Sequence, residues 1–88
     1  MTSEELTTLL RETGQHHHHA YASSDGADPE WALWYAGYLQ TRLWDRLGRV
    51  FTRSEIVYLL VDADRRAQVE GVTDWPAFYA DRFLKHGT

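Results

Sequence analysis

EWALWYAGYL at residues 30–39 and DWPAFYADRF at residues 74–83 are one phrase written twice. At a constant offset of 44, Trp31 matches Trp75, Tyr35 matches Tyr79 and Ala36 matches Ala80. Glu30 and Asp74, Trp34 and Phe78, and Leu39 and Phe83 keep their chemistry. Each copy opens on helix-start residues. Asp28-Pro29 precedes the first, with Asp suited to the cap and Pro to the first helical position. Thr73 or Asp74 caps the second, with Pro76 in its first turn. Each copy also follows a segment carrying a Leu-Leu pair, so the chain reads as two similar helical hairpins. Few identities join the copies, and duplication and convergence on one packing solution both account for them.

The rest of the chain extends this reading. Helix one is predicted over about Glu4–Ala22, with Thr2 or Ser3 as cap and an inward stripe of Leu6, Leu10, Thr13, His17 and Ala20. Gly14 weakens that helix by up to about 1 kcal/mol relative to Ala. Residues 22–28, ASSDGAD, form a turn-rich connector. Helix two runs to about Arg49 on a stripe of Ala32, Tyr35 or Ala36, Leu39, Leu43, Leu47 and Val50. Trp31, Trp34 and Tyr38 add a second apolar strip, which makes this helix central or shared with a partner. Thr52-Arg-Ser-Glu55 is a capping box for helix three, which buries Ile56, Leu59, Leu60, Ala63 and Ala67 and stops at Gly71. Helix four presents Trp75, Phe78, Tyr79, Arg82 and Phe83 and ends at Gly87. No segment shows strand alternation. Short connections favour antiparallel neighbours, so the fold class is all-α: an antiparallel four-helix bundle built from two helical hairpins, spanning 1–88 as a single domain.

Composition narrows the functional classes. The 88 residues allow one small core, so burial must come from large side chains, and 14% of the residues are aromatic. That is more ring surface than a minimal bundle needs, which places some rings at a partner surface or in a pocket. The net charge of −4 argues against nucleic acid as partner. The absence of Cys removes disulfides, thiolate zinc sites and cysteine nucleophiles. An acidic N-terminus without a long apolar run reads as a soluble cytoplasmic protein, with no membrane partner.

Three groups of residues can carry chemistry. The first is the run His16-His17-His18-His19. On a helix His16 and His19 share a face with Glu12, a set that can hold a divalent metal such as zinc, iron or nickel. The plain alternative is one inward His and three solvated ones. The second group is aromatic: Trp31, Trp34, Tyr35 and Tyr38 with Trp75, Phe78 and Tyr79, either core or the wall of a pocket or docking surface. The third is a stripe of Arg42, Arg46, Arg49 and Arg53, either an anion grip or a solvated face paired with Asp45, Asp62 and Asp64. There is no glycine-rich phosphate loop, nucleophile elbow or supported triad.

The run from His16 to Tyr21, followed by Asp-Pro-x-Trp and Trp-Tyr-Ala-x-Tyr-Leu from Asp28 to Leu39, resembles a group of small uncharacterised bacterial helical proteins. Similar segments occur as short helical tails on enzymes such as glyoxalase-like domains. The resemblance covers roughly residues 16–39. It implies that His17, Tyr21, Trp31, Trp34 and Tyr35 belong to one constellation.

Two functions follow. One is a binding or interaction module that self-associates as a homo-dimer or docks on a protein partner through its surplus rings, with His17, Tyr21, Trp31, Trp34, Tyr35 and Tyr38 as the binding set. The other is a small metal- or ligand-binding enzyme, or enzyme subunit, using His16–His19 beside Tyr21 and Trp31. Its ligand form requires a cavity between helices one and two lined by His17, Tyr21 and Trp31.

Overall fold

The computed structural model describes residues 2–47 and 50–86, with side chains for all of these except 46 and 47. Four α-helices follow in order: α1 (Ser3–Ala20), α2 (Trp31–Leu47), α3 (Arg53–Glu70) and α4 (Trp75–Lys85), with a short 3-10 turn at Ala22–Ser24. Each helix packs on two others, α1 on α2 and α4, and α3 on α2 and α4. The side-chain pairings fix the directions. His17 meets Trp34 and His16 meets Tyr38 across α1 and α2. Asp64 meets Tyr79 and Asp62 meets Arg82 across α3 and α4. Both sets run in opposite senses, so neighbouring helices are antiparallel and the molecule is a four-helix bundle of two hairpins.

The helix starts follow from local chemistry. Thr2 accepts from the Glu5 amide while the Glu5 carboxylate accepts from the Thr2 amide, and Thr52 and Glu55 repeat the arrangement. Such reciprocal caps satisfy two otherwise orphaned backbone donors. α3 ends at Gly71, whose φ of 69° is a left-handed conformation that suits glycine. Asp74 stands at the cap of α4, yet its side chain makes no capping hydrogen bond. The expected ends of helix two near Arg49 and of helix four at Gly87 lie outside the described residues.

The core lies on matched stripes. α1 buries Leu6, Leu9, Leu10, Thr13 and His17; α3 buries Ile56, Leu59, Leu60, Ala63 and Ala67. These sets are related by a constant offset of 50, and the helices that carry them are both 18 residues long. Likewise Tyr35, Ala36 and Leu39 on α2 match Tyr79, Ala80 and Phe83 on α4. Burying one such large apolar side chain contributes roughly 1.5–3 kcal/mol. An exposed ion pair such as Lys85–Asp81 contributes about 0–1 kcal/mol. Packing along the stripes therefore decides the fold.

Four expectations are corrected. Ala20 is exposed, because α1 ends there, and Leu9 takes an inward place instead. Val50 is exposed and its neighbour Phe51 is buried instead, against Phe83. α2 begins at Trp31, one turn after Asp28-Pro29. Among the described side chains, Arg42 and Arg53 do not pair with Asp62 or Asp64: Asp62 holds Arg66 and Arg82, and Asp64 holds Tyr79 and Gln68. Arg42 instead lies 3.6 Å over the Tyr38 ring, while Arg46 and Arg49 fall outside the described side chains.

The Tyr79 hydroxyl donates to Asp64 at 3.1 Å. Burial, followed by the Asp64 charge, pushes the Tyr79 phenol well above its ordinary range, so it stays protonated as a donor. Asp64→Ala is expected to cost about 1–3 kcal/mol by stranding that hydroxyl. Adding Tyr79→Phe is expected to recover part of the loss, which a double-mutant cycle in urea reads directly. Strict additivity of the two changes would show that the pair is not coupled.

Candidate functional site

The site is built at the end of the bundle where α1 stops and α2 starts. Tyr21 caps α1, its amide donating to the His17 carbonyl at 3.1 Å. The Ser24 hydroxyl then bonds the carbonyls of Tyr21 and Ala27, and the Gly26 amide returns to the Tyr21 carbonyl at 2.8 Å. Asp25 and Gly26 take left-handed φ values of 55° and 82°, conformations open chiefly to Asp, Asn and Gly. A Cβ at position 26 would also sit 2.5 Å from His18 Nδ1. This tight turn brings Asp28 back over the end of α1.

There the Asp28 Oδ2 atom lies 3.0 Å from His17 Nε2. Its Oδ1 accepts from the Glu30 amide at 3.0 Å, so one carboxylate both caps the turn into α2 and orients a histidine. An ionised carboxylate only accepts, which places the His17 proton on Nε2 and leaves Nδ1 as the second ring nitrogen on offer. Both side chains are at least nine-tenths buried. The hydrogen bond from His17 holds the Asp28 carboxyl below the usual carboxylate range against the opposing effect of burial; the Glu30 amide and the Tyr21 side chain add to it.

Aromatic rings close around this pair. His17 stacks on Tyr21 at 4.9 Å between ring centroids, meets the edge of Trp34 at 5.2 Å and lies 5.3 Å from Tyr35. Trp31 stands edge-on to Tyr35 at 5.3 Å. The five residues His17, Tyr21, Trp31, Trp34 and Tyr35 are thus brought into one connected cluster. Tyr38 stacks on Trp34 at 5.6 Å and is covered by Arg42 on one side and neighboured by His16. The Trp34–Tyr38 strip is half-buried rather than a free face.

The other histidines part ways. His16 turns to Tyr38, His18 lies against the Gly26 turn and His19 is exposed. Among the described residues no group of three or more His, Asp or Glu is arranged to hold a metal ion, His16, His19 and Glu12 included. The run of four imidazoles is split by the helix: the 100° step between neighbours sends each to a different surroundings.

Two clefts adjoin the cluster, and neither is the one expected. A wide cleft of about 740 Å³ opens between the end of α1 and the start of α4, walled by Arg11, Gly14, His17, Tyr35, Thr73 and Trp75. Tyr21 and Trp31 do not line it. Trp31 walls a smaller cleft of about 300 Å³ with Asp64 and Tyr79, on the α2–α3 side. Tyr35 reaches both. Burial raises the Tyr35 phenol above its ordinary range and keeps it a donor. Gly14 is what admits Trp75: a Cβ there would lie 2.8 Å from Trp75 Cζ2 and 3.1 Å from Tyr35 Oη.

Sequence reasoning reads Asp28 only as a helix cap, Gly14 only as a weak point in a helix and Trp75 only as packing. Aligning helix one with helix three, from Thr2-x-x-Glu5 on Thr52-x-x-Glu55, sets Gly14 opposite Asp64 and would have marked it. The largest exposed rings were also not foreseen: Trp44 is 53% and Tyr58 62% exposed. No known protein family, curated protein or solved structure matches this chain.

Asp28→Asn keeps the volume and the cap acceptor while removing the charge. The folded carboxyl titrates below its unfolded value of about 3.9, so its stabilisation is present above that value and lost as pH falls through the folded one. The variant is expected to be less stable than wild type at pH 7, and the difference is expected to shrink on acidification below about pH 4. Thermal melts of both proteins across this range check it; a gap that is constant with pH would remove the charge from the explanation.

Proposed function

We propose that the protein is a small binding module that takes its ligand in the wide cleft between α1 and α4. The observation that carries this reading is the His17–Asp28 pair. A buried imidazole is fixed by a carboxylate on one side while its ring lines an open cleft. A histidine needed only for packing is replaceable by an apolar side chain, as Ala67 occupies the matching place on α3. Holding a histidine, a carboxylate and a strained turn together has a conformational cost that packing does not require. The cleft offers ring surface from Trp75, a hydroxyl from Tyr35 and imidazole from His17, the mixture typical of small-molecule sites.

A screen of small aromatic fragments of both charges, followed by amide shifts of the full chain, tests the reading. At least one fragment is expected to shift resonances of residues 11–19 and 73–76, and Trp75→Ala is expected to abolish those shifts. Shifts that localise elsewhere, or none, would end it.

A second reading, protein docking or self-association, is favoured by a different observation. Trp44 and Tyr58 expose more than half of their surface on α2 and α3, and Val69 on α3 exposes 83%. Large exposed rings of this kind mark interaction sites more often than scattered single apolar residues do. Light scattering after size exclusion is expected to show a concentration-dependent mass that Trp44→Ser with Tyr58→Ser returns to monomer. A monomer at millimolar wild-type protein would rule self-association out.

A further inference from the structure

The two clefts are copies of one another. Under the offset of 50 between α1 and α3, Asp64, Ala67, Gln68 and Val72 of the smaller cleft correspond to Gly14, His17, His18 and Ala22 of the wider one. Under the offset of 44 between α2 and α4, Trp31 and Tyr79 correspond to Trp75 and Tyr35. The four paired positions from the α1 and α3 halves all differ, and two of the changes alter the chemistry around the tyrosine. In the smaller cleft the Tyr79 hydroxyl is satisfied internally by Asp64. In the wider cleft the matching residue is Gly14, which supplies no carboxylate, and Tyr35, nine-tenths buried, makes no hydrogen bond among the described residues. No buried side-chain oxygen or nitrogen is sealed off without a partner among the described residues, so the Tyr35 hydroxyl opens to the cleft it lines. The second change places His17 where α3 has Ala67, with Nε2 engaged by Asp28.

Resting on the binding reading above, we propose that the ligand is a small aromatic carboxylate. Its ring lies against Trp75, and its carboxylate accepts from the Tyr35 hydroxyl from the side of the wide cleft. Three features select this class. The matching tyrosine of the other half, Tyr79, donates to a carboxylate that Gly14 does not supply to Tyr35, so the group that satisfies the tyrosine is already seen in the same fold. The lining carries Arg11 and three imidazoles and no carboxylate among the described residues, which favours an anion. Trp75 presents indole surface to the cleft, and a flat ring gains offset or edge contact there that a bare oxyanion does not.

The test is an amide-shift titration of the full chain with benzoate, benzamide, benzylamine and acetate. Benzoate is expected to bind with a dissociation constant in the millimolar range suited to so few atoms. It is expected to bind at least about ten-fold more tightly than the other three, because benzamide and benzylamine lose the charge-assisted hydrogen bond and acetate loses the ring contact with Trp75. Tyr35→Phe is expected to weaken benzoate about ten-fold with little change for benzamide. Benzamide or benzylamine binding as tightly as benzoate would overturn the carboxylate while leaving the cleft as a binding site. Acetate matching benzoate would overturn the aromatic part. Silence from all four probes overturns the ligand class, and the broader fragment screen then separates that failure from failure of the cleft itself.

Discussion

Burial of the stripe Leu6, Leu9, Leu10, Thr13 and His17 on α1, and of its counterpart on α3, is the constraint on which the other features rest. A chain of this size cannot hold isolated helices in water, since each is too short to be stable without tertiary packing. Every helix must therefore give its inward positions to the core. What remains for function are the flanks of the stripes and the ends of the bundle. His17 lies where these meet: it is the last inward position of α1 and the first residue of the cluster at the bundle's end.

That position explains why the site has its particular make-up. An imidazole at the end of a buried stripe must have its polar atoms satisfied. Asp28 does this for one nitrogen, at the start of the next helix, and the Ser24–Gly26 turn is the shortest path that returns it there. The rings of Tyr21, Trp34 and Tyr35 exclude water from the pair, which strengthens the hydrogen bond and fixes the imidazole. Packing and chemistry are thus not separate layers here. The same side chain ends the core and begins the site.

The helices were legible from the sequence because their signals are local. Thr2–Glu5 and Thr52–Glu55 announce two starts, and Gly71 one end, through hydrogen bonds spanning a few residues. The inward stripe of α3 was readable position by position, since helical period alone decides it. The site was less legible because it depends on contacts between segments. Asp28 lies eleven residues from His17, and only the fold makes them partners. The clefts depend on Trp75 crossing to Gly14, a meeting of chain positions far apart. Likewise the exposure of Trp44 and Tyr58 reflects how far the neighbouring helices reach, which periodicity does not encode.

Gly14 and Asp64 hold matching places in the two hairpins and differ by a carboxymethyl group. In the genetic code glycine and aspartate are separated by a single base. A single base at this codon therefore separates a tyrosine that donates to a carboxylate in its own half, as Tyr79 does, from one that stands with Tyr35 against a bare backbone and an indole.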